Sequence, residues 1–178
     1  MRIFEKMNQI LKDNERIEVY NEAVIKTYKS MSVRTNKLKE ILTQLSFARR
    51  KNQKEEREDI INSLFSILTY TESKYEEYLF ELYDLCTLLL DNPEMNLTPK
   101  NSRQLKFAIN TKIELRKEFE IIYRNFKNMA KKFDDIPMKE ILKKMREVFG
   151  LDGKKEVEYY EDIYKIYSPN YTMQTQAR

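Results

Sequence analysis

Residues 61–90 read INSLFSILTYTESKYEEYLFELYDLCTLLL, and this stretch decides the fold. Ile61, Leu64, Leu68, Thr71, Tyr75, Tyr78, Leu82, Leu85 and Leu89 recur in alternating steps of three and four without a skip. That spacing is the heptad seam of a long amphipathic helix. The segment DNPEMNLTPKNS, residues 91–102, stops it, with Pro93 and Pro99 as helix breakers.

The same pattern lies on either side. Upstream, Val24, Tyr28, Met31, Thr35, Leu38, Leu42 and Leu45 form a seam that fades into the charged stretch ARRKNQKEERED, residues 48–59. Downstream, Leu105, Ala108, Lys112, Leu115, Phe119, Ile122, Phe126, Met129 and Phe133 form a third. Asp135 is placed to cap a new helix, with Pro137 in its first turn. Ile141, Leu142, Met145 and Phe149 share one side of that helix, and Gly150 is placed to end it. A last helix is expected over 154–167, before Pro169. The opening segment, with Ile3, Phe4, Met7, Ile10 and Leu11, reads either as a separate short helix or as part of the first rod.

These readings predict an all-α fold: an elongated antiparallel bundle of three rods of about 30 residues each, plus two short C-terminal helices. Residues 1–135 are assigned to the long-helix bundle and 136–178 to the short helices and a frayed tail, one domain overall. A chain of 178 residues with two glycines lacks the turn chemistry of a sandwich, a barrel or a doubly wound sheet.

Composition also narrows the chemistry. With no His, there is no Ser-His-Asp or Cys-His machinery and no Glu-x-x-His di-iron site. No glycine-rich phosphate loop is present. Cys86 has no partner for an internal disulfide, which suits a reducing compartment. The charged opening segment lacks a signal-peptide core, and no run is long enough to span a bilayer. A cytoplasmic protein with no membrane partner and no cofactor is expected.

Charge is segregated along the chain. Residues 59–98 hold one Lys against eight acids, whereas 99–132 hold ten Lys and Arg against three Glu. Opposite charge on neighbouring rods favours their correct pairing. With Leu105 at heptad position a, the outward line is Arg103, Asn110, Lys117, Arg124 and Lys131. Such a line, extended by Arg49, Arg50, Lys51, Lys54 and Arg57, has the spacing and sign to follow a phosphate backbone. No helix-turn-helix, zinc-finger or ribonucleoprotein motif accompanies it.

The second rod is apolar beyond its seam, most widely over Tyr78 to Leu90. The economical reading is that the short C-terminal helices fold back over this stretch. The last helix is crowded with Tyr159, Tyr160, Tyr164 and Tyr167, side chains suited to an interface because an apolar ring carries a hydroxyl that can stay wet. Internal packing and presentation to another chain both fit that composition.

Glu55 and Glu58 form an E-x-x-E, and Glu81 and Asp84 an E-x-x-D with Glu77 one turn earlier. This resembles the Mg²⁺-binding pattern of the all-α nucleoside-triphosphate pyrophosphatases, over about thirty residues. The likeness departs from that family if both pairs lie on one straight rod, which would hold them about 35 Å apart. In general character the basic bundle, with a stretch such as TNKLKEILTQL (35–45), is similar to the small helical subunits of RNA-guided interference complexes, without a shared motif.

The functional expectation is a non-catalytic helical interaction module: an adaptor, assembly factor or inhibitor with a protein partner, and a candidate homodimer. Its contacts are assigned to Tyr159, Tyr160, Tyr164 and Tyr167, with Phe80 and Tyr83 as a docking patch. The alternative is a nucleic-acid-binding accessory protein using Arg49, Arg50, Lys51, Arg103, Lys117, Arg124 and Lys131. A Mg²⁺-dependent nucleotide pyrophosphatase is the third reading.

Overall fold

The computed structural model describes residues 2–50, 54–132 and 136–168, and among them every regular element is helical. The helices are α1 (Arg2–Arg50), α2 (Lys54–Asp91), α3 (Pro99–Ala130), α4 (Ile136–Phe149) and α5 (Tyr160–Tyr167). Three long helices therefore pack with two short ones, as the spacing predicts.

The long helices exceed the expected thirty residues, at 49, 38 and 32. The opening segment is continuous with α1, and the charged stretch after Ala48 stays helical to Arg50 and again from Lys54. Lys, Arg, Gln and Glu are good helix formers, so losing the apolar stripe does not by itself end a helix.

All nine positions of the α2 seam are buried, as are the eight described positions of the α3 seam. Phe133 and Asp135 lie outside the described residues. The α1 seam needs correction. Thr27 and Ile41 are buried, whereas Tyr28 and Leu42 are only half-buried. Thr27 can be buried because its hydroxyl donates to the Ala23 and Val24 carbonyls of its own helix.

Two compact units divide the chain. In the first, residues 1–28, 78–113 and 156–178, polar contacts fix how α1 runs beside the start of α3. Asn14 donates through Nδ2 to the Asn96 carbonyl and accepts from the Thr98 N–H and from Asn101 Nδ2. Farther along, Tyr28 meets Phe107 edge-on at 5.9 Å. The Tyr78 and Thr111 hydroxyls join α2 to α3 at 2.7 Å. Asn21 is fully buried beside Asn101.

The second unit, residues 29–77 and 114–155, is built on aromatic packing. Phe119 of α3 stacks on Phe149 of α4 at 4.3 Å and meets Tyr75 of α2 edge-on at 5.0 Å. Glu72 of α2 pairs with both Lys144 and Lys155, and Lys39 of α1 pairs with Glu118 of α3.

Helix α4 has Pro137 in its first turn and buries Met138, Ile141, Met145, Val148 and Phe149. It closes at Gly150 as predicted. The Leu151 N–H bonds the Arg146 carbonyl and the Gly150 N–H bonds the Glu147 carbonyl, the paired bonds of a Schellman ending. Gly150 has φ +65°, and a Cβ there would stand 2.7 Å from Lys155 Cβ, so only glycine fits.

The final helix is shorter than predicted, because turns and bends at 150–159 precede it and α5 begins only at Tyr160. The short helices also belong to different units: α4 to the second and α5 to the first. Only α5 thus shares a unit with the wide apolar stretch Tyr78 to Leu90.

Candidate functional site

The tyrosines of the last element separate into different roles. Tyr160 is buried: its hydroxyl donates to the Ile109 carbonyl at 2.8 Å, and Lys112 Nζ lies 4.9 Å from its ring centre. Tyr164 is half-buried and stacks on Tyr160. Tyr167 is half-buried too, and burial raises its hydroxyl above the ordinary tyrosine range. These contacts anchor α5 to its own unit.

Tyr159 differs. It is 42% exposed and sits at the start of α5 with φ 68°, the one non-glycine residue at positive φ among those described. A Cβ makes that left-handed conformation costly, so the surrounding turn must hold it there. The neighbouring Glu158 carboxylate raises its hydroxyl above the ordinary tyrosine value, with smaller contributions from Tyr83 and Asp91.

Tyr83 belongs to an exposed face of α2. Phe80, Tyr83, Thr87 and Leu90 follow one another in steps of three, four and three along one face. Phe80 is 67% exposed, and Tyr83 and Leu90 are also exposed. This face lies outside the α2 seam, which is fully buried on the other side.

Behind it the interior is polar in places. Lys112 is 7% exposed, held by Glu156 at 3.5 Å and by the Tyr160 ring. Burial pushes the Cys86 thiol up to about 12, with the Lys112 charge opposing in part. At neutral pH Cys86 is therefore a thiol and a poor nucleophile. Lys112 stands in the predicted seam, but nothing in the periodicity signals its pairing with Glu156.

The basic positions divide as well. Arg103 is exposed in the first unit, and Lys117, Arg124 and Lys131 are exposed in the second. Asn110 leaves that line: its side chain bonds the Lys106 carbonyl and the Ser168 hydroxyl. Lys117 pairs with Glu114. Lys51 and the side chains of Arg49, Arg50 and Lys54 lie outside the described residues. The second unit carries 22 Lys and Arg against 16 Asp and Glu, and the first 11 against 13.

Glu55 and Glu58 belong to the second unit and Glu81 and Asp84 to the first, all on the unbroken helix α2. Among the described residues no three His, Cys, Asp or Glu side chains gather as a metal-binding group. None of the described helices is long and apolar enough to cross a membrane.

A groove of about 570 Å³ in the second unit, lined by Val33, Arg34, Lys37, Glu40, Ile67 and Tyr70, has no counterpart in the sequence reading. Its charged groups are already engaged, Lys37 with Glu40 and Arg34 with Ser30. Comparison with family models, curated proteins and solved structures finds no match for this chain.

Proposed function

We propose that the chain is a non-catalytic interaction module whose partner, a protein, docks on the α2 face formed by Phe80, Tyr83 and Leu90 together with Tyr159. The observation that supports this most is the exposure of Phe80 on the α2 face that also carries Tyr83, whose charge is felt at the Tyr159 hydroxyl. Clustered aromatic side chains are the usual anchors of protein interfaces. Tyr160, Tyr164 and Tyr167 serve this surface indirectly, by fixing α5 and hence Tyr159.

A photocrosslinker placed at Tyr83 is expected to capture one defined protein from the native host, and one at exposed Val19 is not. Phe80→Glu should weaken that capture about tenfold or more. Tyr159→Gly should act in opposite directions on fold and function. It relieves the positive φ and raises the melting midpoint by roughly 2–4 °C, while capture falls with the lost ring. Equal crosslinking at both positions, or capture unchanged by Phe80→Glu and Tyr159→Gly, would refute the reading.

The second reading, nucleic-acid binding, draws on the exposed Lys117, Arg124 and Lys131 and on the positive charge of their unit. It requires a gel shift whose affinity falls steeply with salt and weakens in Lys117→Glu/Arg124→Glu. No shift at low salt on DNA or RNA ends it.

A further inference from the structure

Tyr159 occupies a turn position that calls for glycine. The Tyr160 N–H bonds the Val157 carbonyl at 3.2 Å, which puts Glu158 and Tyr159 at the two central positions of a β-turn. Tyr159, the second of them, has φ 68° and ψ −1°, and Glu158 is not at positive φ, the pattern of a type II turn. Glycine or asparagine ordinarily fills that second position, because a Cβ is strained there.

This turn joins two segments that are each held in place. Upstream, Lys155 pairs with Glu72 and Glu76 of its own unit. Downstream, α5 is held within the first unit. Tyr160 donates to the Ile109 carbonyl and lies against Lys112, Ile163 is buried, and the Ser168 hydroxyl donates to Asn110 Oδ1. These polar contacts are all to α3.

Detached, α5 has eight residues, too few to stay helical in water. The site it leaves would hold a Lys112 ammonium without its ring and an Ile109 carbonyl without its hydroxyl. Helix and site therefore need each other, and an α5 that lifts off must be recaptured by its own site or by an identical one. Only a second copy of this chain carries an identical site, so exchange requires no new contact surface. In the exchanged form the backbone need not reverse at Tyr159, and the strain of a left-handed tyrosine is released once in each copy.

We propose that this chain forms a homodimer by exchanging α5. The helix of each copy seats against Ile109, Asn110 and Lys112 of the other, and residues 157–160 open as the hinge. The proposal does not rest on the α2 docking face. It is read by mass and hydrogen exchange, not by capture through Tyr83, so either reading can fail alone.

The test concentrates the full chain to the millimolar range and reads its mass by size-exclusion chromatography with light scattering, before and after dilution. A dimer should form in the concentrated sample and return to monomer slowly on dilution, because α5 must lift off before it can exchange. Tyr159→Gly relaxes the closed turn and should lower the association constant about tenfold or more. Tyr159→Pro fixes φ at about −65°, cannot form the closed turn, and should raise that constant about tenfold or more. In the dimer, amides of 160–167 should stay protected, and Tyr160→Ala should abolish the dimer.

A wild-type chain that stays monomeric at millimolar concentration sinks the proposal. So does a dimer whose association is unchanged in Tyr159→Gly, or one that survives Tyr160→Ala, since either places the contact on another face. A Tyr159→Pro dimer in which 160–167 exchange freely would also overturn it, because α5 would then be released and not exchanged. Tyr159→Gly fits the turn as it stands, so it decides the matter even if Tyr159→Pro fails to fold.

Discussion

Phe119→Ala is expected to lower stability by about 3–5 kcal/mol, the range for removing a large aromatic side chain from a packed core. Phe119 is fully buried, and its ring is the shared neighbour of Phe149 on α4 and Tyr75 on α2. Its removal leaves a cavity that no polar network can fill and takes away two ring contacts at once. Natural domains hold only about 5–15 kcal/mol in total, so the variant should melt on the order of 10 °C lower. Hydrogen exchange should accelerate first in α4, because that short helix buries its apolar side only within this unit. A cycle of Phe119→Leu and Phe149→Leu should show a coupling of about 0.5–1.5 kcal/mol, the increment of a stacked pair beyond area. A loss below about 1 kcal/mol for Phe119→Ala would mean that these rings do not form the core of the second unit.

Much of this interior is legible from spacing. The seams of α2 and α3 consist of large apolar side chains at successive three- and four-residue steps, so the buried set follows from periodicity. The α1 seam is less legible because burial there depends on two neighbouring helices. Thr27 enters the core with its hydroxyl satisfied locally, and Tyr28 turns its ring to the edge of Phe107. The end of α5 is legible from Pro169, but its start is not. Tyr159 adopts positive φ although tyrosine has no preference for that region, so its residue type does not signal the turn that starts α5.

The candidate surfaces divide along the same line. Phe80 and Tyr83 stand outside the heptad seam, so their exposure follows from position alone. The apolar cluster of residues 3–11 is present in the sequence, but its exposure among the described residues is a tertiary fact. The two adjacent tyrosines Tyr159 and Tyr160 are chemically identical in sequence. What separates them is a carbonyl on Ile109 and an ammonium on Lys112, about fifty residues away in the chain.

Tyr160 therefore provides the sharpest test of how α5 is held. Tyr160→Phe keeps the ring against Lys112 and removes the hydroxyl that donates to the Ile109 carbonyl. A buried hydrogen bond lost in this way costs about 1–2 kcal/mol. Tyr160→Ala also removes the ring, its stacking on Tyr164 and the cover over Lys112. A loss of about 3–5 kcal/mol is expected for the docking of α5. Because α5 is a short helix whose one other buried side chain is Ile163, that loss should release it. The readout is local: rapid hydrogen exchange and proteolytic cleavage over 156–168, with α2 and α3 still protected. Capture through Tyr83 should persist in Tyr160→Phe, which leaves Tyr159 in place, and weaken in Tyr160→Ala, which does not. If instead Tyr160→Phe abolished capture while 156–168 stayed protected, the buried hydroxyl would have to meet the partner directly, and α5 would have to open on binding.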